Sequence, residues 1–138
     1  MPNSRSNFAM STKKKIANLL TIRTMAQYLL NFHHFPLSPE NKPSASDMEA
    51  VTAHWQHFIA DIARQGKFIG TQRLDQSGSI LGPGGQVQDA VKDGHGLVVG
   101  TLTLEAQDLA EAVELSRQCP VLQLGGSVEV RPIIPFEM

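Results

Sequence analysis

The 138-residue sequence has one cysteine, one tryptophan and one tyrosine, and only 18% of its residues are charged. The single cysteine, Cys119, excludes a disulfide within the chain and any zinc site built from cysteines. No apolar run reaches the roughly 18 residues that a membrane-spanning helix needs. These absences favour one small globular domain stabilised by its core, and we expect a cytoplasmic protein that does not insert into membranes.

The net charge of −1 conceals an uneven distribution along the chain. Residues 1–24 contain five of the 12 Lys and Arg residues and no acidic residue. The rest of the chain contains seven basic and 13 acidic residues. An acidic body repels phosphate groups, so we expect no nucleic-acid binding by the folded domain. The basic stretch is predicted to be a disordered extension, followed by the domain proper at 25–138, with Met25 as an alternative translation start.

Hydrophobic periodicity predicts four strands and two helices, together with a short hairpin among glycine-rich turns. Ser46 and Asp108 are each followed by a glutamate three residues later, the spacing that caps helix N-termini. Gly66 is expected to end the first helix in a left-handed conformation, and Pro120 to end the second. The predicted elements are strand 26–35, helix 46–65, strand 67–74, hairpin 79–89, strand 96–106, helix 108–119 and strand 127–134.

This order of elements is typical of the ferredoxin-like split βαβ fold, an α+β plan with an antiparallel sheet and two helices on one face. Strand residues alternate between faces, so Val128 and Val130 are predicted to lie beneath the helices. The other face would mix polar and apolar side chains: Leu29, Asn31, His33, Ile69, Thr101, Thr103, Glu105, Glu129, Arg131 and Ile133. Because a half-apolar face on so small a domain favours association, we expect a homodimer formed through this sheet face.

The last strand carries two opposite charges, Glu129 and Arg131, on the mixed face. In the ferredoxin-like order the first strand is central and lies beside the last, which brings Asn31 and His33 close to this pair. A cleft with imidazole, carboxylate and guanidinium groups could bind a small anion and move a proton. The alternative is an ion-pair network between subunits, with no ligand.

The first helix offers a second candidate base. Helical spacing puts His54 at the border of the apolar face, where a histidine could act as a general base. An ordinary border histidine is the alternative. His57 and Asp61, four residues apart, could form an ion pair. A metal site made of these three side chains is a further alternative, but such spacing rarely binds metal, and we expect none.

The remaining motifs predict no further chemistry. Cys119 falls on the apolar face of the second helix near its C-terminus, which favours a buried packing residue over a nucleophile. The glycine-rich segments "GPGGQ" and "GHGLVVG" have neither the spacing of a P-loop nor that of a dinucleotide-binding turn. We therefore expect no cofactor.

Four segments carry a resemblance to a known family: "MAQYLL", "WQHFIADIARQGKFIG", "DLAEAVELSRQCP" and above all "GGSVEVRPI". They resemble the YCII-related (DGPF) domain family over about residues 25–136. The resemblance implies a ferredoxin-like dimeric α+β barrel whose sheets pack face to face. It also implies a polar pocket between the first helix and the sheet or at the interface, suspected of acid/base chemistry.

The chain departs from the family pattern at two places. The Asp-Gly-Pro-Phe segment should fall near "VQDAVKDGHG", where this chain has an aspartate, Asp89, or Asp93 followed by Gly94, without the Pro-Phe. One YCII branch has a proposed histidine–aspartate pair, whose histidine corresponds to a position near His54. Its aspartate precedes the proline after the second helix, where this chain has Cys119.

Two functions follow as hypotheses. The first is a small dimeric enzyme that performs acid/base chemistry on a small polar or ring compound, with His54, His33 and Asp89 as catalytic residues. Arg131, Glu129 and Asn31 would bind the ligand. The second is a non-catalytic module that binds a small ligand or a partner on the same dimeric scaffold.

Overall fold

A computed structural model describes residues 25–36, 40, 43–91 and 96–136. The predicted basic extension, residues 1–24, lies outside the described residues, as do Asp93 and Gly94 of the family motif. Within these ranges, none of the helices is both long enough and apolar enough to cross a bilayer.

Six strands and three helices make up the described part of the chain. In chain order they are β1 (Ala26–His34), α1 (Ala45–Arg64), β2 (Phe68–Arg73), β3 (Ser79–Leu81), β4 (Val87–Asp89), β5 (Leu97–Ala106), α2 (Leu109–Ser116), α3 (Pro120–Gln123) and β6 (Ser127–Pro132).

Four of the strands form one antiparallel sheet in the order β2-β5-β1-β6. The first strand is therefore central, between β5 and β6. This order, together with the helices α1 and α2, confirms the ferredoxin-like α+β fold. Strands β3 and β4 pair only with each other, as a separate antiparallel hairpin, which matches the predicted excursion at 79–89.

The core lies on one side of this sheet, under α1 and α2. Trp55 of α1 packs edge-to-face on Phe32 of β1, with ring centroids 4.9 Å apart, and on Phe58 at 6.0 Å. Val128 and Val130 pack against the same core, as predicted. The buried apolar residues are Tyr28, Leu30, Phe32, Phe58, Ile62, Leu102, Leu104, Ala106, Ala112, Cys119 and Val121.

A half-buried ion pair joins the sheet to the second helix. Lys67 Nζ lies 2.8 Å from Glu111 Oε1, and the side chains are 23% and 26% exposed. The backbone carbonyl of Lys67 also accepts a hydrogen bond from the amide of Glu105 at 2.8 Å. Lys67 thus ties the start of β2 both to β5 and to α2.

The start of α1 differs from the prediction. Ser44, not Ser46, is the N-cap: its hydroxyl accepts a hydrogen bond from the amide of Asp47 at 3.2 Å, and its backbone is extended. Two serines two residues apart offer the same capping chemistry, and the choice between them depends on where the backbone turns. The C-terminal end is as predicted, since Gly66 follows the helix with a φ of +71°.

The region after α2 also differs from the prediction. Asp108 caps this helix by accepting a hydrogen bond from the amide of Glu111 at 2.8 Å, as predicted. However, the helix ends at Ser116, and Pro120 begins the short helix α3. Proline suits the first turn of a helix because its missing N–H would have no partner there. Leu109, the first residue of this helix, is 46% exposed.

Replacement of Ser44 with alanine is expected to lower the free energy of unfolding by about 1 kcal/mol, because it removes the acceptor for an orphan amide. Ser46→Ala is the matched control and should change that free energy by less than about 0.5 kcal/mol. Urea denaturation followed by circular dichroism measures both variants. A larger loss of unfolding free energy for Ser46→Ala than for Ser44→Ala would indicate that Ser46 is the N-cap instead.

Candidate functional site

A groove opens at the edge of the sheet where β1 ends and β6 begins. Its volume is about 520 Å³. Four parts of the chain form it: the end of β1, the residue before β5, the turn before β6 and the first residues of β6. The lining residues are His33, His34, Phe35, Gly96, Gly125, Gly126, Ser127, Val128 and Glu129.

Two predicted site residues, His33 and Glu129, line this groove, and a third, Asn31, lies beside Glu129 on the open face of the sheet. Asn31 lies directly opposite Glu129, and its Nδ2 donates a hydrogen bond to Glu129 Oε1 at 3.2 Å. His33 lies opposite Ser127, two positions further along the same strands. The register therefore places an imidazole, an amide and a carboxylate on one surface, which can offer a small molecule both donors and acceptors.

Arg131 is on the same face but further from the groove. It lies opposite Leu29 on β1 and is exposed. Its guanidinium has no ion-pair partner in the described part of the chain. The structure thus places Asn31, His33 and Glu129 at neighbouring positions on one face of the sheet. Arg131 lies two residues beyond Glu129 and, like Asn31, is not among the residues that line the groove.

His34 and the turn before β6 were missed by the sequence reasoning. The Nε2 of His34 lies 2.8 Å from the carbonyl oxygen of Leu124, and its Nδ1 lies 2.7 Å from that of Phe35. The ring therefore holds the end of β1 against the turn that leads into β6. Such a contact joins residues 90 positions apart, and no local pattern signals it.

Gly126 allows the turn to pass close to β1. A Cβ on this residue would lie 2.4 Å from the carbonyl oxygen of His33 and 2.6 Å from Val121 Cγ2. Only glycine fits at these distances. The consecutive glycines that precede the last strand are the signal from which a close backbone approach could have been predicted.

His54 is not among the residues that line the groove. It is exposed on α1, the helix that covers the core face. The predicted pair beside it forms, with His57 Nε2 3.5 Å from Asp61 Oδ2, and Asp61 also pairs with Arg64. Among the described residues no three His, Cys, Asp or Glu side chains are arranged to hold a metal ion, so His54, His57 and Asp61 do not form such a set.

Asp89 ends β4 in the separate hairpin. It is exposed, lies opposite Ser79 and has no ion-pair partner among the described residues. Within one chain, the three residues predicted as catalytic therefore occupy three places: His33 the groove, His54 the outer helix and Asp89 the hairpin.

Cys119 is a packing residue, as its position in the sequence suggested. Its side chain is 1% exposed and belongs to the core. Burial raises the pKa of the thiol to about 11, because the thiolate would lose its hydration. A thiol in this state is a poor nucleophile.

Comparison with known proteins identifies the family. The profile of the YCII-related domain matches residues 35–137, about three quarters of the chain. The chain belongs to the YCII-related domain family. The predicted family is thereby confirmed. Three of the four segments lie inside the matched range, whereas "MAQYLL" in β1 precedes it.

No curated protein matches the chain. Among solved structures, the chain is similar to a hydantoinase/carbamoylase family amidase from Burkholderia ambifaria, with 8% identity and a TM-score of 0.26. The match covers 80% of this chain and 27% of the amidase. A likeness this weak bears on neither fold nor activity.

Replacement of Gly126 with alanine is expected to lower the free energy of unfolding by about 1–3 kcal/mol, since the new Cβ overlaps the backbone of β1. Gly70→Ala in β2 is the matched control, because a Cβ there meets no atom within 4 Å and the backbone is not left-handed. Urea denaturation should show equal or greater stability for the control. Equal losses in both variants would contradict the close approach at Gly126.

The buried thiol of Cys119 makes the free energy of unfolding depend on pH in the alkaline range. In the unfolded chain the thiol ionises near its ordinary pKa, whereas in the folded chain it stays protonated up to about pH 11. The free energy of unfolding therefore falls by about 2–3 kcal/mol as the pH rises from about 9 to about 11, because only the unfolded chain ionises its thiol in this range. Cys119→Ala removes the group and leaves the other titrating residues in place. Parallel curves of unfolding free energy against pH for the two proteins would contradict the assignment.

Proposed function

We propose that this YCII-related domain protein is a homodimer that binds a small polar or ring compound in the groove at the end of β1 and moves a proton on it. One observation carries the proposal: His33 and Glu129, from neighbouring strands, line the same groove. The volume of the groove, about 520 Å³, lies within the range typical of small-molecule sites.

The two side chains would have different roles. Imidazole is the side chain best suited to exchange protons near neutral pH, so His33 is the proposed acid or base. Glu129 already accepts a hydrogen bond from Asn31, which orients its carboxylate on the sheet surface. The second oxygen of that carboxylate is available to a donor on the ligand, such as a hydroxyl or an amine.

Features of the sheet support association through its open face. Pro132 lies in the edge strand β6 and cannot donate a ladder hydrogen bond. On the other edge, the register of β2 shifts between Phe68 and Gly70, an irregularity that disfavours the addition of a strand. Protection of both edges favours association through a face, and the open face carries half-buried Leu29 and exposed Ile69.

A non-catalytic binding module is the second candidate. Two observations favour it. Cys119, buried and protonated, stands where one YCII branch has its proposed aspartate, so that dyad cannot form. His54, the counterpart of the dyad histidine, is not among the residues that line the groove. In this case the groove would bind the same class of compound and release it unchanged.

A ligand screen tests the proposal. Small carboxylic acids, amides and heterocycles are added to the wild type, His33→Ala, Glu129→Gln and His57→Ala, and thermal unfolding is recorded. We expect compounds that raise the melting temperature of the wild type and of His57→Ala, an exposed histidine remote from the groove, but not that of the two groove variants. Equal stabilisation of all four proteins would contradict the groove as the site.

Compounds that pass this screen then separate the two candidates. Each is incubated with the protein in deuterated water and followed by NMR. Conversion or deuterium incorporation that is lost in His33→Gln supports the acid/base chemistry. Binding without either change supports the non-catalytic module.

A further inference from the structure

An exposed aromatic side chain lines one part of the groove. Phe35 follows directly after β1 and is 54% exposed. Its backbone carbonyl oxygen lies 2.7 Å from Nδ1 of His34, a contact that fixes the chain at this point. The groove is also lined by Gly96, Gly125 and Gly126, so part of its wall is bare backbone. An aromatic ring beside a wall without side chains offers an apolar surface on which a planar ring can pack.

The polar groups of the groove favour a cation over an anion. Glu129 is the one carboxylate among the described residues that line it, and these include neither lysine nor arginine. Both ring nitrogens of His34 already face backbone carbonyl oxygens, at 2.7 and 2.8 Å, which leaves His33 as the imidazole open to a ligand. Because Asn31 occupies one oxygen of Glu129, the other can accept a hydrogen bond from an ammonium group.

Arg131 does not reverse this balance. It lies two residues beyond Glu129 along β6, whereas Ser127 and Val128, which line the groove, precede Glu129. At about 3.3 Å per residue, the backbone of Arg131 is about 7 Å beyond that of Glu129. A ligand in the groove therefore approaches the carboxylate from the side away from the guanidinium.

The register sets the order of these groups along β1. Glu129 lies opposite Asn31, His33 follows two residues later, and Phe35 follows after a further two. The carboxylate and the aromatic ring thus belong to backbone positions at most about 13 Å apart, with the imidazole between them. The reach of both side chains shortens the gap that a ligand must span. An elongated ligand can therefore contact both ends and present its middle to His33.

We propose that the groove selects a ligand of the arylalkylamine class, with its aromatic ring packed on Phe35 and its protonated amine on Glu129. The inference rests on the proposed function and specifies the ligand class of the same site. Phe35 and Glu129 are then the residues that determine specificity, and His33 faces the linker between the ring and the amine. A carboxylic acid of the same shape would set a like charge against Glu129 and bind more weakly.

Three related probes test the ligand class by NMR titration of the full chain. Phenylpropylamine has both the ring and the cation, propylamine has the cation alone, and phenylpropionate has the ring with a negative charge. We expect the dissociation constant of phenylpropylamine to be at least about tenfold lower than that of either other probe, since each of these lacks one contact. Added salt should weaken the binding of phenylpropylamine, because it screens an exposed ion pair.

Two variants with matched controls locate the contacts. Phe35→Ala should raise the dissociation constant of phenylpropylamine about tenfold and leave that of propylamine unchanged. Phe136→Ala, at a residue that is 95% exposed and follows the far end of β6, should change neither constant. Glu129→Gln should raise the constant of phenylpropylamine about threefold and remove its salt dependence. Glu105→Gln, which neutralises a carboxylate on the same sheet face outside the groove, should do neither.

Two results would overturn the ligand class and leave the proposed function intact. One is phenylpropionate that binds as tightly as phenylpropylamine and loses its affinity in His33→Ala. The other is a dissociation constant of phenylpropylamine that changes equally in the groove variants and in their controls. If none of the three probes binds, the ligand class is also overturned, whereas the thermal screen of acids, amides and heterocycles separately decides whether the groove is a binding site.

Discussion

The arrangement of this protein depends on the register of its central strand. β1 pairs with β5 on one side and β6 on the other, and both registers place Leu30 opposite apolar partners, Leu102 and Val130. Since side chains alternate in a strand, a shift by one residue would turn this set to water and put Asn31 into the core. Burial of the aliphatic set thus determines which side chains the other face presents, including the histidine and the carboxylate of the groove.

Much of the fold could be predicted because its signals are local. Alternation along β1 and β5 and the helical spacing of Trp55, Phe58 and Ile62 each identify an element and its buried face. The errors arose where a local pattern is compatible with more than one boundary of an element. Ser44 and Ser46 can both cap a helix, and a proline that ends one helix can also begin the next, as Pro120 does. Only the path of the backbone decides these cases.

The candidate site could be predicted to a smaller extent, for a related reason. The alternation of β1 and β6 suffices to place Asn31, His33 and Glu129 on one face. The contribution of His34 and Gly126 could not be predicted, because it depends on how closely a turn approaches a strand about 90 residues away. The position of His54 outside the groove likewise follows from how the helices pack on the sheet, a property of the assembled layers rather than of the helix itself.

The protection of the sheet edges has a consequence for the assemblies that the chain can form. Pro132 on β6 and the irregular register near Gly70 on β2 discourage the backbone pairing by which sheets grow from one molecule to the next. Association through a face ends once two molecules cover each other, whereas association through edges can continue indefinitely. Protected edges thereby disfavour fibrillar polymers that grow by edge-to-edge strand pairing.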